Sequence, residues 1–408
     1  MSELLSAQTR EILDGLRDFL NAEVLARHRD AGALLSDPRQ RYGPDGRHVA
    51  AVEEHRRAVR MASARAGYYT MCVPEELGGG GQGAVTSYAA WELINRLCGS
   101  GGWLGSEVVA HWATGPSVVF ARAGQRLRDT FLGSLLSGEQ TMCFAMSEPG
   151  AGSDVWQMST RAVPEAGGWR LTGVKQWISN GPHADLAIVF AVTDPERVRA
   201  RAGGISAFLV PTDAPGFQVD SVIGLYGQMG GEHAILSMNE VRVEDWQLFG
   251  EPGGGLSLGL DGIATGRLYN TAKGVGLARW ALGLAVDFAT ERETFGTRLF
   301  DNQGISFPLA DAATRIHAAH LMGLHAAELV DAGRPALTEV AMAKLFATEM
   351  ATDVIDRAIQ TLGGMGITTE VGLAKAWQSM RTVQIADGSS EILKRLISRR
   401  MANGEVSG

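Results

Sequence analysis

Leu186-Ala187-Ile188-Val189-Phe190-Ala191-Val192 is a short β-rich run, and the change of texture on either side of it decides the fold class. Ile205 to Val210 and Ala234 to Val243 are runs of the same kind, separated by Gly, Pro, Asn and Asp, so residues 140–254 read as a small β domain. Towards the N-terminus, residues 1–139 carry apolar side chains at helical spacing, as in Ile12, Leu16, Phe19 and Leu20. They are broken by the turn-rich Val73-Pro74-Glu75-Glu76-Leu77-Gly78-Gly79. Towards the C-terminus, residues 255–408 return to long helical patterns at Lys273 to Arg292, Ala310 to Val330 and Glu339 to Leu362, the last closed by Gly363 and Gly364 as a C-cap. The order of helices, strands and helices predicts an α+β chain of three domains, with a hinge at Gly253 to Gly255.

The chain has 408 residues, of which 45% are hydrophobic and 20% charged, the balance of a globular protein with a substantial core. A net charge of −8 without a basic block argues against a nucleic-acid partner, because affinity for a phosphate backbone rests on clustered Lys and Arg. Cys72, Cys98 and Cys143 lack metal-type spacing, so neither a metal site nor a disulfide framework is expected. No stretch reaches about 18 uninterrupted apolar residues, and Glu3, Glu11 and Asp14 near the start do not resemble a signal peptide; a cytoplasmic protein without a membrane span is expected.

Four further segments carry possible chemistry. Cys143-Phe144-Ala145-Met146-Ser147-Glu148-Pro149-Gly150-Ala151-Gly152-Ser153-Asp154 leaves a β-type run for a loop of small residues. Such a loop lets backbone N–H groups approach an anionic or planar ligand, although taken alone it is an ordinary turn. Lys175-Gln176-Trp177-Ile178-Ser179-Asn180-Gly181 places Trp177 two residues before a hydroxyl. A Trp in a β domain is usually core, but this pairing also suits a flat ring with a heteroatom. Arg292-Glu293-Thr294-Phe295-Gly296, with Gln303 beyond it, ends a long helix, where an Arg answers the helix dipole and equally suits a pyrophosphate. Gln384-Ile385-Ala386-Asp387-Gly388-Ser389-Ser390-Glu391-Ile392 sets Asp387 and Ser389 at the mouth of a helix, where N-capping is the ordinary role and a catalytic carboxylate the alternative.

In this order and spacing, and together with Val73–Gly79 and Gln360-Thr361-Leu362-Gly363-Gly364-Met365-Gly366, these segments resemble the acyl-CoA dehydrogenase family over about residues 70–400. The resemblance implies an N-terminal helical domain, a central small β domain and a C-terminal four-helix bundle, assembled as a homo-oligomer, dimer or tetramer, around FAD. Carried over by position, it implies that Phe144, Met146, Ser147, Gly152 and Ser153 line FAD or the mouth of the thioester site. Trp177, Ile178 and Ser179 would lie against the isoalloxazine, with Ser179 facing N5. Arg292, Thr294, Phe295, Gln303, Gln360, Gly363 and Gly364 would meet the FAD pyrophosphate and adenosine of a neighbouring subunit. Ser389 and Glu391 would stand close to the cofactor, and Ser153, Ala386 and Gly388 close to the substrate.

The family usually carries Glu where this chain has Asp387, and another branch places its base just before the residue matched by Arg267, where this chain has Gly266. Glycine cannot act as a base, which leaves Asp387 as the matched carboxylate, with Arg267 shaping the site beside it. Asp reaches about 1.5 Å less far than Glu, a distance that matters for proton transfer. Ala386 replaces a bulky Tyr common in the family, and Met229 and Thr382 stand where Arg and Asp are common. The implied reaction is α,β-dehydrogenation of an acyl thioester, the α proton going to Asp387 and a hydride to the flavin N5. The implied partners are acyl-CoA or a carrier-bound acyl thioester, and an electron-transferring flavoprotein. Nitroalkane oxidases are similar to this family and use Asp as base; DNA-binding flavoproteins of the same fold are disfavoured by the acidic balance.

Overall fold

The computed structural model describes residues 4–405. Its described residues fall into two compact units, one made of the chain up to Arg27 with Gln82–Ser106 and the stretch from Ala264 onward, the other of His28–Gly81 and Glu107–Ile263.

The second unit is built on strands β1 (Met142–Ala145), β2 (Arg161–Glu165), β3 (Gly168–Ser179), β4 (Leu186–Val192), β5 (Ile205–Pro211), β6 (Phe217–Val222) and β7 (His233–Glu244). They form one mixed sheet in the order β1-β4-β2-β3-β7-β6, with β5 pairing against β4. The β4 run is apolar throughout because both of its faces are covered. Leu186, Ile188, Phe190 and Val192 join a core with Phe120, Leu127, Leu135, Phe249 and Leu258, while Ala187, Val189 and Ala191 pack with Phe208, Val210, Leu236 and Val241 on the other side. A strand with period-two side chains and no wet face has no position for a polar residue. The predicted strands at 186–192, 205–210 and 234–243 match β4, β5 and β7 to within about a residue.

In the first unit, helices α1 (Ala7–Phe19) and α2 (Ala84–Cys98) accompany the part of α3 (Gly255–Glu291) from Ala264 onward, with α4 (Gln303–Asp331), α5 (Leu337–Leu362), α6 (Leu373–Val383) and α7 (Ser390–Ala402). Val275, Ala278, Ala281 and Ala285 of α3 share a core with Leu309, Ile316 and Ala319 of α4, Met350, Val354 and Ile355 of α5, and Ala376 and Met380 of α6. Among the described residues no helix is long and apolar enough to cross a membrane. The helix expected at Lys273 to Arg292 starts earlier, at Gly255. Its first turns are rich in glycine, a weak helix former, and tight packing replaces propensity: a Cβ at Gly255 would come within 2.6 Å of the Ser206 carbonyl carbon. Gly255 therefore meets a close approach as the first residue of α3, with Gly253 and Gly254 just before the helix.

One buried ion pair fixes the loop that follows β1. Lys175, fully buried on β3, donates from Nζ to Glu148 Oε1 at 2.8 Å and to the Met146 carbonyl at 3.1 Å. Glu148 also accepts from the Ser159 N–H and hydroxyl, both at 2.7 Å, and from the Thr160 N–H at 3.0 Å. Burial pushes the Glu148 carboxyl up, but the charge and hydrogen bond of Lys175, with the other donors, hold it down at about 2; burial pushes the Lys175 ammonium down against the pull of Glu148.

Two outcomes follow from this pair. Lys175→Met should cost about 3–5 kcal/mol in denaturant unfolding at neutral pH, because a buried carboxylate loses its counter-charge. Since the folded value for Glu148 lies below its ordinary 4.5, its contribution is present above 4.5 and lost as the pH falls towards 2. Glu148→Gln should therefore flatten the pH dependence of stability in that window, as read from unfolding free energies measured across it.

Candidate functional site

Between α6 and α7 the chain reverses in the turn 384–389, and the local sequence explains its shape. Ile385 and Ala386 donate their N–H groups to the Thr382 carbonyl, ending α6. Asp387 at φ +54° and Gly388 at φ +98° then turn the backbone through left-handed conformations, which Gly enters freely and Asp more readily than most residues. Ser389 caps α7, accepting from the Ile392 N–H at 3.5 Å. The capping role belongs to Ser389, which leaves the Asp387 side chain for other work.

Three consecutive carbonyls of this turn are held by cations from neighbouring helices. Lys344 of α5, fully buried, donates from Nζ to the Ala386 carbonyl at 3.0 Å and the Gly388 carbonyl at 2.8 Å. Arg267 of α3, also buried, donates from Nε to the Asp387 carbonyl at 3.0 Å. Gln384 anchors the start of the turn, donating to the Thr348 carbonyl and the Thr352 hydroxyl. The Asp387 carboxylate accepts from Asn270 Nδ2 at 2.8 Å through its Oδ2. Arg267 and Asn270 stand three residues apart and so share one face of α3.

Burial is the largest influence on the Asp387 carboxyl and raises it above the ordinary range, against the Asn270 hydrogen bond and the charges of Lys344 and Arg267. Burial likewise pushes the Lys344 ammonium down, to about 8. A carboxylate whose proton affinity is raised, fixed at a rigid turn, is equipped to accept a proton from a weak carbon acid.

Sequence reasoning selected Arg267, Ala386, Asp387 and Gly388, and the structure brings these four together. It did not select Asn270 or Lys344. Asn270 was open to detection as the i+3 neighbour of Arg267, and Lys344 as a charge on the otherwise apolar stripe of α5 that holds Val340, Ala341, Ala347 and Ala351. Ser389 lies in the same turn with its hydroxyl used as a cap, and Glu391 is exposed on the first turn of α7. Thr382 donates to the Gln378 carbonyl within α6, and Met229 is exposed in its loop.

The other predicted residues divide between the two units. In the sheet unit, Gln176 donates its N–H to the Ser147 carbonyl at 2.9 Å, tying the small-residue loop to β3. Here the β3–β7 register slips between Lys175 and Ile178, a bulge that puts Trp177 at φ +65° with 52% of its surface exposed. Ser147 is partly exposed, and Gly152, Ser153 and Ser179 are exposed. Asn180 secures the end of the strand, donating to the Thr141 hydroxyl and the Met142 carbonyl. Met146 and Ile178 are buried, and Phe144 packs between Trp112 and Phe190. In the helical unit, Arg292 follows the end of α3, and β8 (Glu293–Thr294) pairs with β9 (Thr297–Arg298) around a fully exposed Phe295 at φ +54°. Gln303 opens α4, while Gln360, Gly363 and Gly364 are exposed where α5 ends.

Two glycines test whether these surfaces suit a bound cofactor. Neither Gly152 nor Gly364 adopts a left-handed backbone, and a Cβ at either would meet no protein atom within 4 Å. The folded chain itself does not require glycine there; a ligand lying close to the backbone would. The exposed indole on a strained bulge agrees, since a large aromatic held outward against its backbone preference is a feature of binding surfaces.

Family models for the acyl-CoA dehydrogenase N-terminal, middle and C-terminal domains match residues 6–139, 143–241 and 253–402. The chain is 39% identical over 333 residues to the short-chain specific acyl-CoA dehydrogenase, mitochondrial, of Homo sapiens, covering 81% of this chain and 79% of that one. The solved acyl-CoA dehydrogenase from Geobacillus kaustophilus shares its fold with a TM-score of 0.83 at 27% identity, over 97% of this chain and 98% of that chain. A solved structure of PigA with FAD and proline superposes with a TM-score of 0.81 at 25% identity, over 98% of each chain. The chain belongs to the acyl-CoA dehydrogenase family of flavin oxidoreductases.

Proposed function

We propose that this protein is an FAD-dependent dehydrogenase of an acyl thioester in which Asp387 removes the α proton. The observation that carries the proposal is the Asp387 carboxylate itself: raised by burial, gripped through one oxygen by Asn270, and mounted on a turn whose carbonyls at 386, 387 and 388 are all bound. Such rigidity suits a base, because positioning errors near 1 Å are costly in proton transfer. Among the described residues no acceptor takes the Asp387 N–H, which leaves it to donate to a thioester carbonyl and steady the enolate charge as the proton departs.

The residues proposed to hold FAD are Ser147, Gly152, Ser153, Trp177 and Ser179 on the ring side, with Phe144, Met146 and Ile178 shaping their support from beneath. Arg292, Thr294, Phe295, Gln303, Gln360, Gly363 and Gly364 are proposed for the pyrophosphate and adenosine of a partner subunit, with Ser389 and Glu391 nearby. FAD when bound supplies the oxidising step by accepting the β hydrogen with its electron pair. The full exposure of Phe295 supports a homo-oligomeric enzyme, since a phenyl ring at the tip of a two-stranded ribbon gains by being covered. An electron-transferring flavoprotein is the proposed electron acceptor.

Nitroalkane oxidation is the alternative chemistry, favoured by the presence of Asp where the family usually has Glu. A carrier-bound thioester is the alternative substrate. Anaerobic flavin bleaching against a panel of CoA esters, carrier-bound thioesters and nitroalkanes, with hydrogen peroxide measured in air, separates the three.

In that assay Asp387→Asn should keep the yellow flavoprotein spectrum and lose about 10²–10⁴-fold in the rate of flavin reduction. Undiminished bleaching would remove Asp387 from the chemistry. Gly364→Ala should leave the thermal stability of the flavin-free protein unchanged or raised by about 0.4–1 kcal/mol, because the added methyl meets nothing and restricts the unfolded chain. The same variant should release FAD more readily during dialysis; equal retention would show that no ligand approaches there.

A further inference from the structure

We propose that Asn270 is a positioning residue for Asp387, holding one carboxylate oxygen so that the other is presented to the substrate. This inference rests on Asp387 being the base. The carboxylate's two oxygens have different surroundings: Oδ2 accepts from Asn270 Nδ2 at 2.8 Å, while Oδ1 accepts from nothing among the described residues. Oδ1 is therefore the oxygen available to form the new O–H bond, and the C–H electron pair stays with the α carbon as the proton transfers.

The choice of an amide for this work has a physical reason. Two cations stand beside Asp387, yet both are committed to backbone, Arg267 to the Asp387 carbonyl and Lys344 to the carbonyls on either side. Among the described residues no Lys, Arg or His comes within ion-pair distance of the Asp387 carboxylate. A cation in direct contact would orient the group but lower its proton affinity by about one to three pH units, weakening it as a base. Asn270 is neutral, 3% exposed and fixed on the same helix face as Arg267, so it orients the carboxylate at a smaller cost in basicity. The shortness of Asp adds to the need. With one methylene fewer than Glu it has less reach, and a single anchored oxygen determines where the free one points.

The charged and titratable groups that face Asp387 are Arg267 from α3 and Lys344 from α5; Glu349 of α5 and Glu391 of α7 act in turn on Lys344. Replacing Asn270 leaves all four in place, so a change in the pH profile reports the amide. In Asn270→Leu the acid limb of the first-order flavin-reduction rate should move up by about one pH unit, with the limiting rate lowered and substrate KM little changed. Asn270→Asp, of the same size and shape, should move the limb further, because it sets a like charge against the base. It also carries the test if the leucine variant loses its flavin.

An acid limb and limiting rate unchanged in both variants, alongside an Asp387→Asn enzyme that no longer bleaches, overturn the role of Asn270 and leave the base assignment standing. Retained bleaching in Asp387→Asn overturns the base assignment and the role of Asn270 with it. A fall in rate without any movement of the pH profile shows a merely structural amide and also overturns the proposal.

Discussion

Asp387 occupies a backbone conformation that costs an ordinary residue roughly 1–2 kcal/mol, and the turn that contains it exposes three carbonyls in succession to a low-dielectric interior. Lys344 and Arg267 answer both demands together, since a turn with its carbonyls bound cannot relax to a right-handed path without breaking three charge-assisted hydrogen bonds. The arrangement also accounts for a fully buried lysine in the middle of α5. Its ammonium donates to two of the turn's carbonyls, and burial lowers its proton affinity against the pull of the nearby Asp387 carboxylate. The backbone that carries the carboxylate is thus held by groups that do not bond its oxygens, while Asn270 bonds one of those oxygens directly.

The sheet unit uses the same device on another loop. Lys175 is inserted from β3 beneath the segment that begins at Met146, binding one carbonyl and the carboxylate of Glu148. Glu148 in turn collects the N–H groups that follow at 159 and 160, so a loop of small residues is closed from both ends onto a rigid strand. Two residues beyond Lys175 the strand bulges and turns Trp177 outward. A cation placed under a loop fixes backbone donors and acceptors while leaving the outer surface free of side chains, which suits a ligand that must lie close to the main chain.

Element types and most boundaries were legible in the sequence because long apolar periodicities and short β-rich runs record burial directly, as at β4 and at α5 with its glycine C-cap at Gly363. The start of α3 was hidden: glycines at 255, 259 and 262 lower helix propensity, and close packing against Ser206, Met146 and Trp112 explains them. In the turn, Ala386, Asp387 and Gly388 were singled out by resemblance. The supporting residues were not, because Lys175, Lys344 and Asn270 gain meaning only from partners 27, 42 and 117 residues away in sequence. The capping alternative at 387–389 was resolved by geometry alone: Ser389 takes the cap, and Asp387 sits too early in the turn to compete for it.

The Asp at the proposed base position, where the family usually has Glu, is best understood as part of a set. A shorter acid needs a more exact mount, and the mount here consists of a turn bound at three carbonyls together with an amide on one carboxylate oxygen. Removing a methylene also removes one side-chain torsion, so less entropy is lost when the carboxylate is held for reaction. Ala386, exposed in the same turn where the family commonly has a bulky Tyr, leaves room beside the base that a larger residue would take. A short, firmly held base next to a small neighbour favours a substrate that comes to the carboxylate, in contrast to a long flexible base that reaches out to the substrate. Selectivity in such a site lies in the shape of the acyl group more than in the movement of the enzyme.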